Sequence, residues 1–346
     1  MTKQHSAMLE RFRRVKLLEQ ATPIQRLHRL EAELGDVLGG VRLFVKRDDL
    51  MGLGGGGNKL RKLEFLLGEA LSRGCDTFIT IGGLQSNHAR LSAAASAHVG
   101  LDCELLLTQV VPRTDVEYQH NGNVLLCGIF GAKIHVLPDS ADSLGFAHER
   151  AEVLKSEGRR PYVVGTGGSS PVGCLGYAAC AQEIAEQEKS IEGGFAQIIV
   201  PNGSSGTHAG LAAGFAAMGM SPTKVCSYTV LESRKKAQKT TFQLAQATLA
   251  LIDATASINS SDIEAADDQL GEGYGIPTRA MFSAVRTMAR TEGLLLDPVY
   301  SGKAFAGVLA AVRKGTYNRG DAILFLMTGG SPGLFAYRSA FDRNIA

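Results

Sequence analysis

Four consecutive glycines, Gly54–Gly57, stand directly before Asn58-Lys59 and constrain this chain more than any other stretch. Such a run costs backbone entropy and adds no packing, so a plain loop has little use for it. It lets the backbone come close to something flat or phosphorylated. Lys59 follows at once and opens an apolar helical pattern of Leu60, Leu63, Phe65, Leu66 and Leu67. Partial burial there lowers an amine's pKa by desolvation, which a Schiff-base lysine requires. The other reading of these residues is a flexible turn before an ordinary basic helix start.

The rest of the chain alternates short apolar runs with helical patterns. Residues 8–20 predict a basic amphipathic helix, broken at Thr22-Pro23 and followed by an apolar pattern at Ile24, Leu27 and Leu30. Strands are predicted at 41–45, 77–81, 101–107, 133–137, 162–164, 197–200, 225–231 and 323–327. Helices are predicted at 59–71, 89–98, 118–128, 144–156, 174–187, 208–218, 238–252, 278–292 and 303–313. The polar, acidic stretch 253–272 reads as a surface excursion. Strands alternating with helices throughout predict a parallel, doubly wound α/β architecture. A length of 346 residues predicts about two domains.

The totals exclude several function classes. Thirty-six Lys and Arg against 34 Asp and Glu give no field that would draw nucleic acid or a membrane surface. The six cysteines include no C-x-x-C pair, which speaks against a zinc site or a disulfide framework and fits a reducing cytosol. The basic N-terminus carries no apolar h-region, and no run approaches a membrane span. The expected setting is cytoplasmic.

In sheets of this kind ligands sit beyond the carboxyl ends of strands. Four loops with that position have unusual composition. Gly203-Ser204-Ser205-Gly206-Thr207 offers backbone N–H groups, hydroxyls and a helix dipole to a phosphate, and otherwise reads as a Ser/Thr-capped helix start. No Lys follows at Walker-A spacing, which argues against a nucleoside triphosphate. Gln85-Ser86-Asn87-His88 suits a substrate carboxylate or supplies a nucleophile at Ser86, with capping as the local alternative. Gly165-Thr-Gly-Gly-Ser169 imitates a dinucleotide fingerprint but lacks the third glycine and the downstream acid. Tyr274 and Tyr300 sit in tight turns, as packed rings or as phenols facing a substrate.

A reactive lysine, a glycine-rich phosphate cradle and no metal ligands together suggest pyridoxal 5′-phosphate. The chain resembles the D-cysteine desulfhydrase / 1-aminocyclopropane-1-carboxylate deaminase family, of tryptophan-synthase-β-like fold (fold type II). The matching motifs run from Thr22-Pro23 to Phe335. They include Lys46-Arg-Asp-Asp49, Gly56-Gly-Asn-Lys-Leu-Arg-Lys-Leu-Glu64, Gln85-Ser-Asn-His88, Gly203-Ser-Ser-Gly-Thr-His-Ala-Gly210, Gly273-Tyr-Gly-Ile-Pro277, Leu296-Asp-Pro-Val-Tyr-Ser-Gly-Lys303 and Thr328-Gly-Gly330. The resemblance implies two doubly wound parallel-sheet domains, a small one at 61–175 inserted in a large one made of 1–60 and 176–346. It also implies a homodimer. In it Lys59 carries the cofactor and shuttles protons, with Asn58 beside it, while Asn87 meets the cofactor's 3′-oxygen. Gly203, Ser204, Ser205, Gly206 and Thr207 hold the phosphate, and Ser301 and Thr328 complete the cofactor site. Gln85, Ser86, His88 and Tyr300 meet a small amino-acid substrate, and Ser86, Tyr274 and Tyr300 join Lys59 as catalytic.

The implied reaction is β-elimination, foremost of D-cysteine to pyruvate, hydrogen sulfide and ammonia. L-cysteate sulfo-lyase, 1-aminocyclopropane-1-carboxylate deaminase and a non-catalytic cofactor-binding protein are the alternatives. Ser301 stands where the deaminases carry a glutamate, which predicts a weaker electron sink and a readily departing β-group. His88 and His208 also resemble the desulfhydrases. The glycines before Asn58 depart from the family pattern and predict a wider or looser lysine loop, and Ser170 departs where relatives have Asn. Residues 216–272 match poorly.

Overall fold

The structure is a computed structural model that describes residues 8–253 and 255–342. Among the described residues ten strands form two sheets: β1 (Ile24–Arg26), β2 (Arg42–Arg47), β3 (Thr77–Gly83), β4 (Asp102–Thr108), β5 (Lys133–Leu137), β6 (Pro161–Val164), β7 (Gln197–Asn202), β8 (Val225–Thr229), β9 (Glu264–Ala266) and β10 (Ala322–Met327). The six-stranded sheet runs β1-β2-β10-β7-β8-β9 and the four-stranded sheet β5-β4-β3-β6. Every pairing is parallel except that of β1 with β2.

Period-two alternation explains why both faces of the large sheet are covered. Leu43, Val45, Ile323, Phe325 and Met327 face the helices Arg279–Glu292 and Ser301–Arg313. Phe44, Ala322, Leu324 and Leu326 face the opposite core, with the helices Pro171–Gln187 and Gly206–Ala217. The helix that opens with Lys59 (Lys59–Ser72) packs on Pro171–Gln187. Their backbones touch at Gly176, where an added Cβ would lie 2.0 Å from the Arg61 carbonyl oxygen.

A buried ionic network locks that crossing. The Arg61 guanidinium donates to both Asp48 carboxylate oxygens at 2.8 and 3.0 Å and to Glu183 at 2.9 Å. Lys46 donates to the Thr22 carbonyl at 2.6 Å and to Glu183. Tyr177 donates to Asp48 at 2.7 Å. Burial pushes the Asp48 carboxyl up, and the Arg61 charge overrides this to hold it below its usual value.

Three expectations are corrected, and one apolar pattern is resolved into its elements. Residues 8–20 form no helix: Glu64 takes the amides of Leu17 and Leu18 at 2.9 and 3.0 Å, and Arg14 at 2.8 Å, so the segment is a strap across the lysine helix. The apolar pattern from Ile24 divides into antiparallel β1 and a helix, His28–Leu34. The helix expected over 118–128 is two, Val116–His120 and Asn123–Ile129, because Gln85 Oε1 captures the Asn123 amide at the break. The excursion 253–272 contains the edge strand β9, with Ile258, Ile263 and Ala265 buried. Two residues of alternation are too few to reveal a three-residue strand.

Removing Asp48 strands a buried guanidinium. The Asp48→Ala protein should lose about 3–5 kcal/mol of stability, read as a lower denaturant midpoint. An unchanged midpoint would show that the network is energetically idle.

Candidate active site

The carboxyl ends of β3, β4, β6, β7, β8 and β10 converge on one cavity of about 350 Å³ between the sheets. Its lining brings together Asn58, Lys59, Ser86, Asn87, His88, Gly203–Thr207, Tyr274, Tyr300 and Thr328. Gln85 and Ser301 are not among its lining residues.

The glycine run is packed rather than loose. All four glycines have positive φ, and an added Cβ on Gly56 would lie 2.2 Å from the Asp49 carbonyl oxygen. The fully buried Arg90, on the helix Asn87–Val99, donates to the carbonyls of Gly54 and, at 2.9 Å, Gly56. Asn58 N donates to the Thr328 carbonyl at 3.0 Å. The close approach that glycine permits here is therefore to protein, and it holds the start of the lysine helix in place.

Asn58 joins the lysine to the 201–207 loop. Its Oδ1 accepts from Lys59 Nζ at 3.1 Å and its Nδ2 donates to Thr207 Oγ1 at 3.1 Å. Burial, then the Lys62 charge, lowers the Lys59 amine to about 7, with Asp297 opposing. Lys62 is lowered to about 8 by burial. It donates to the Gly167 carbonyl at 3.1 Å and Ser169 Oγ at 2.9 Å, and among the described residues it has no carboxylate partner. Ser169 Oγ in turn bonds Ser204 Oγ at 2.8 Å, so this uncompensated cation lies behind the loop.

Among the described residues Ser205 is the sole non-glycine with positive φ, at 64°. Such strain persists only where the surroundings impose it. Here Asn202 Oδ1 accepts the Ser205 amide at 3.0 Å, and Asn202 is itself held by Ser227 and Thr241. The amides of Thr207 and His208, at the first turn of Gly206–Ala217, have no backbone partner among the described residues. Aligned amides, a helix N-terminus and a buried lysine can hold a dianionic group such as phosphate.

On the opposite wall Ser86 caps the helix Asn87–Val99, accepting from Ala89 N at 3.1 Å, which leaves its hydroxyl hydrogen for a ligand. Asn87 Oδ1 accepts from Asn123 Nδ2 at 3.0 Å, so its NH₂ is the end without a partner among the described residues. Gln85 supports this from behind, bonding Asn123 and the carbonyls of Tyr118 and Asn121. Thr80 spends its hydrogen on the Val164 carbonyl at 2.9 Å, so His88 Nε2, 2.9 Å away, is the donor to Thr80 Oγ1. Burial and the two lysines keep that ring neutral. Tyr274 and Tyr300 bond through their hydroxyls at 2.6 Å. Ser301 Oγ donates to Asp297 Oδ1 at 2.6 Å, and Asp297 caps the helix behind Tyr300.

Sequence reasoning missed Lys62, Asn202 and Arg90. A signal existed for two of them: Lys62 breaks an apolar stripe one turn after Lys59, and Arg90 is the lone Arg or Lys in an Ala-rich helix.

In ligand-free protein an amine-acylating reagent should label Lys59 half-maximally near pH 7, while surface lysines respond only toward about pH 10.4. Peptide mapping across a pH series checks this. A Lys59 rate still climbing above about pH 9 would contradict a depressed amine.

The family model described as "Pyridoxal-phosphate dependent enzyme" matches residues 15–329. Proteins named D-cysteine desulfhydrase from Serratia proteamaculans and Salmonella newport are each 41% identical over 329 residues, 95% of this chain and 97% of theirs. The crystal structure of an ACC deaminase homologue superposes with a TM-score of 0.87 at 38% identity, covering 99% of each chain. A hydrogen sulfide-producing enzyme from Fusobacterium nucleatum shares the fold at a TM-score of 0.60 and 15% identity. With a family match along most of its length and relatives 41% identical over 95% of it, this chain belongs to the pyridoxal-phosphate-dependent enzymes.

Proposed function

We propose that the chain eliminates the thiol of D-cysteine, releasing pyruvate, hydrogen sulfide and ammonia. One observation carries the reading: the half-buried Lys59, whose amine desolvation lowers to about 7, and the Gly203–Thr207 amides line the same cavity. The likeness to proteins named D-cysteine desulfhydrase supports the choice of substrate.

The residues present fit pyridoxal 5′-phosphate. Lys59 would hold it covalently through Nζ, and Gly203–Thr207 would hold its phosphate, with the Lys62 charge behind that loop. The Asn87 amide would donate to its ring oxygen. When bound, the cofactor supplies an electron-withdrawing ring that lowers the cost of negative charge at the substrate Cα. An amine near 7 is about half free base at neutral pH, so Lys59 Nζ can take the Cα proton and later return one. The Ser86 hydroxyl and the helix N-terminus behind it hold the carboxylate. In the Tyr274–Tyr300 pair one hydroxyl spends its hydrogen on the other, which leaves one donor to face the substrate.

We further propose that 61–175 forms the small domain, supported by the four-stranded sheet lying wholly within 77–164. We also propose a homodimer, supported by the exposed Val116, Leu125 and Ile129 on neighbouring helices. Light scattering on the purified protein should give about twice 36.7 kDa.

The function is tested by incubating the purified holoenzyme separately with D-cysteine, L-cysteine, L-cysteate and 1-aminocyclopropane-1-carboxylate. D-cysteine should give pyruvate and sulfide, and Lys59→Ala should reduce the rate by about 10²–10⁴-fold or more. Sulfite from L-cysteate, or 2-oxobutyrate from the cyclopropane acid, with no pyruvate from D-cysteine would overturn the assignment.

A further inference from the structure

Tyr274 stands between two glycines, Gly273 with φ at 153° and Gly275 at 71°. Backbone of this kind has little stiffness of its own. Yet the Tyr274 and Tyr300 hydroxyls meet at 2.6 Å, with the ring centroids 5.9 Å apart. The restraint comes from outside the turn. Lys303 Nζ donates to the Gly273 carbonyl at 2.8 Å and to the Leu270 carbonyl at 2.7 Å. Tyr337 Oη donates to the Gly275 carbonyl at 2.8 Å. The fit at Gly275 is close, since an added Cβ would lie 2.4 Å from Val111 Cγ2 and 3.0 Å from Tyr337 Oη. Lys303 lies in the first turn of the helix Ser301–Arg313, which Tyr300 precedes. The helix start that carries one phenol thus ties down the loop that carries the other.

The means is costly. Lys303 and Tyr337 are 0% and 1% exposed. Among the described residues no carboxylate meets the Lys303 amine, and burial lowers it to about 8. A buried cation that faces only carbonyls does little for stability. What it supplies is several hydrogens on one atom, so that one side chain fixes two carbonyls at once.

Resting on the reading that this phenol pair faces the substrate, we propose that Lys303 and Tyr337 are positioning residues. By holding the Gly273 and Gly275 carbonyls they set the Tyr274 phenol against Tyr300, and so aim the one hydroxyl hydrogen that the pair has left. Neither is among the residues lining the cavity, so each acts through the backbone of Tyr274. Misplacing a group at the reacting atoms by about 1 Å costs about 100-fold in rate.

The test uses the holoenzyme with D-cysteine and compares Lys303→Met, Tyr337→Phe and Tyr274→Phe, singly and with each of the first two combined with the third. Lys303→Met keeps the length and removes the donors, and Tyr337→Phe removes a single oxygen. The kcat should fall about 100-fold in Lys303→Met and about tenfold in Tyr337→Phe. KM should stay within about twofold, as when only a transition-state contact is lost. In the Tyr274→Phe background either change should cost less than about threefold more, because changes that act through one group do not multiply. Hydrogen exchange supplies a readout without turnover: amides across 270–277 should exchange faster in both single variants, and those across 203–215 should not. Should Lys303→Met fail to fold, Tyr337→Phe and its double variant decide by the same two readouts. Losses that multiply in the double variants, or unchanged exchange across 270–277, overturn the assignment. An undiminished kcat in Tyr274→Phe also overturns it, since the clamp would then position nothing that acts, and leaves the D-cysteine reading standing. Inertness of the unmodified holoenzyme toward D-cysteine overturns that reading instead, and exchange alone then decides whether the two side chains hold the loop.

Discussion

The pairing of Arg61 with Asp48 and Glu183 is the constraint on which the site depends. Arg61 lies two residues after Lys59, and its partners come from the end of β2 and from the helix Pro171–Gln187. Two cations, Arg61 and Lys46, face two carboxylates, so the cluster is closed in charge. Apolar packing of equal volume would often be as stable or more so. What the ionic version adds is direction. A bidentate guanidinium fixes the rotation of its helix, and that rotation aims Lys59 at the cavity rather than at the core.

The glycine run serves the same end from the other side. Its left-handed backbone lets residues 54–57 pass between the Asp49 carbonyl and the Arg90 guanidinium. The lysine is thus clamped before and after its position in the chain. A side chain held that way can sustain a depressed pKa, because the surroundings cannot relax to solvate it.

The cavity is electrostatically one-sided. Lys59 and Lys62 lie one helical turn apart and among the described residues have no carboxylate bonded to them, while His88 stays neutral. Asp297 satisfies the backbone of the 301–313 helix and the Ser301 hydroxyl. The balance favours anionic groups in the cavity.

Local order was legible in the sequence because it is local physics. The parallel strands follow from apolar runs, one helix start from Ser86 as a cap, and the glycine-rich loops from their position at strand ends. Lys59 stood out because a cation opening an apolar helix is an energetic anomaly within a few residues. The tertiary structure decided what depends on distant partners. Glu64 drew Leu17, 47 residues away, out of a helix that its own periodicity favoured. Asn123 and Asp297 turned Gln85 and Ser301 away from the cavity lining that their motifs had suggested. Lys62 and Asn202 entered the site because the helix and loop that carry them meet there, a juxtaposition that periodicity does not encode. Sequence pattern specifies which face of an element is apolar, and long-range hydrogen bonds and ion pairs specify where each polar side chain points.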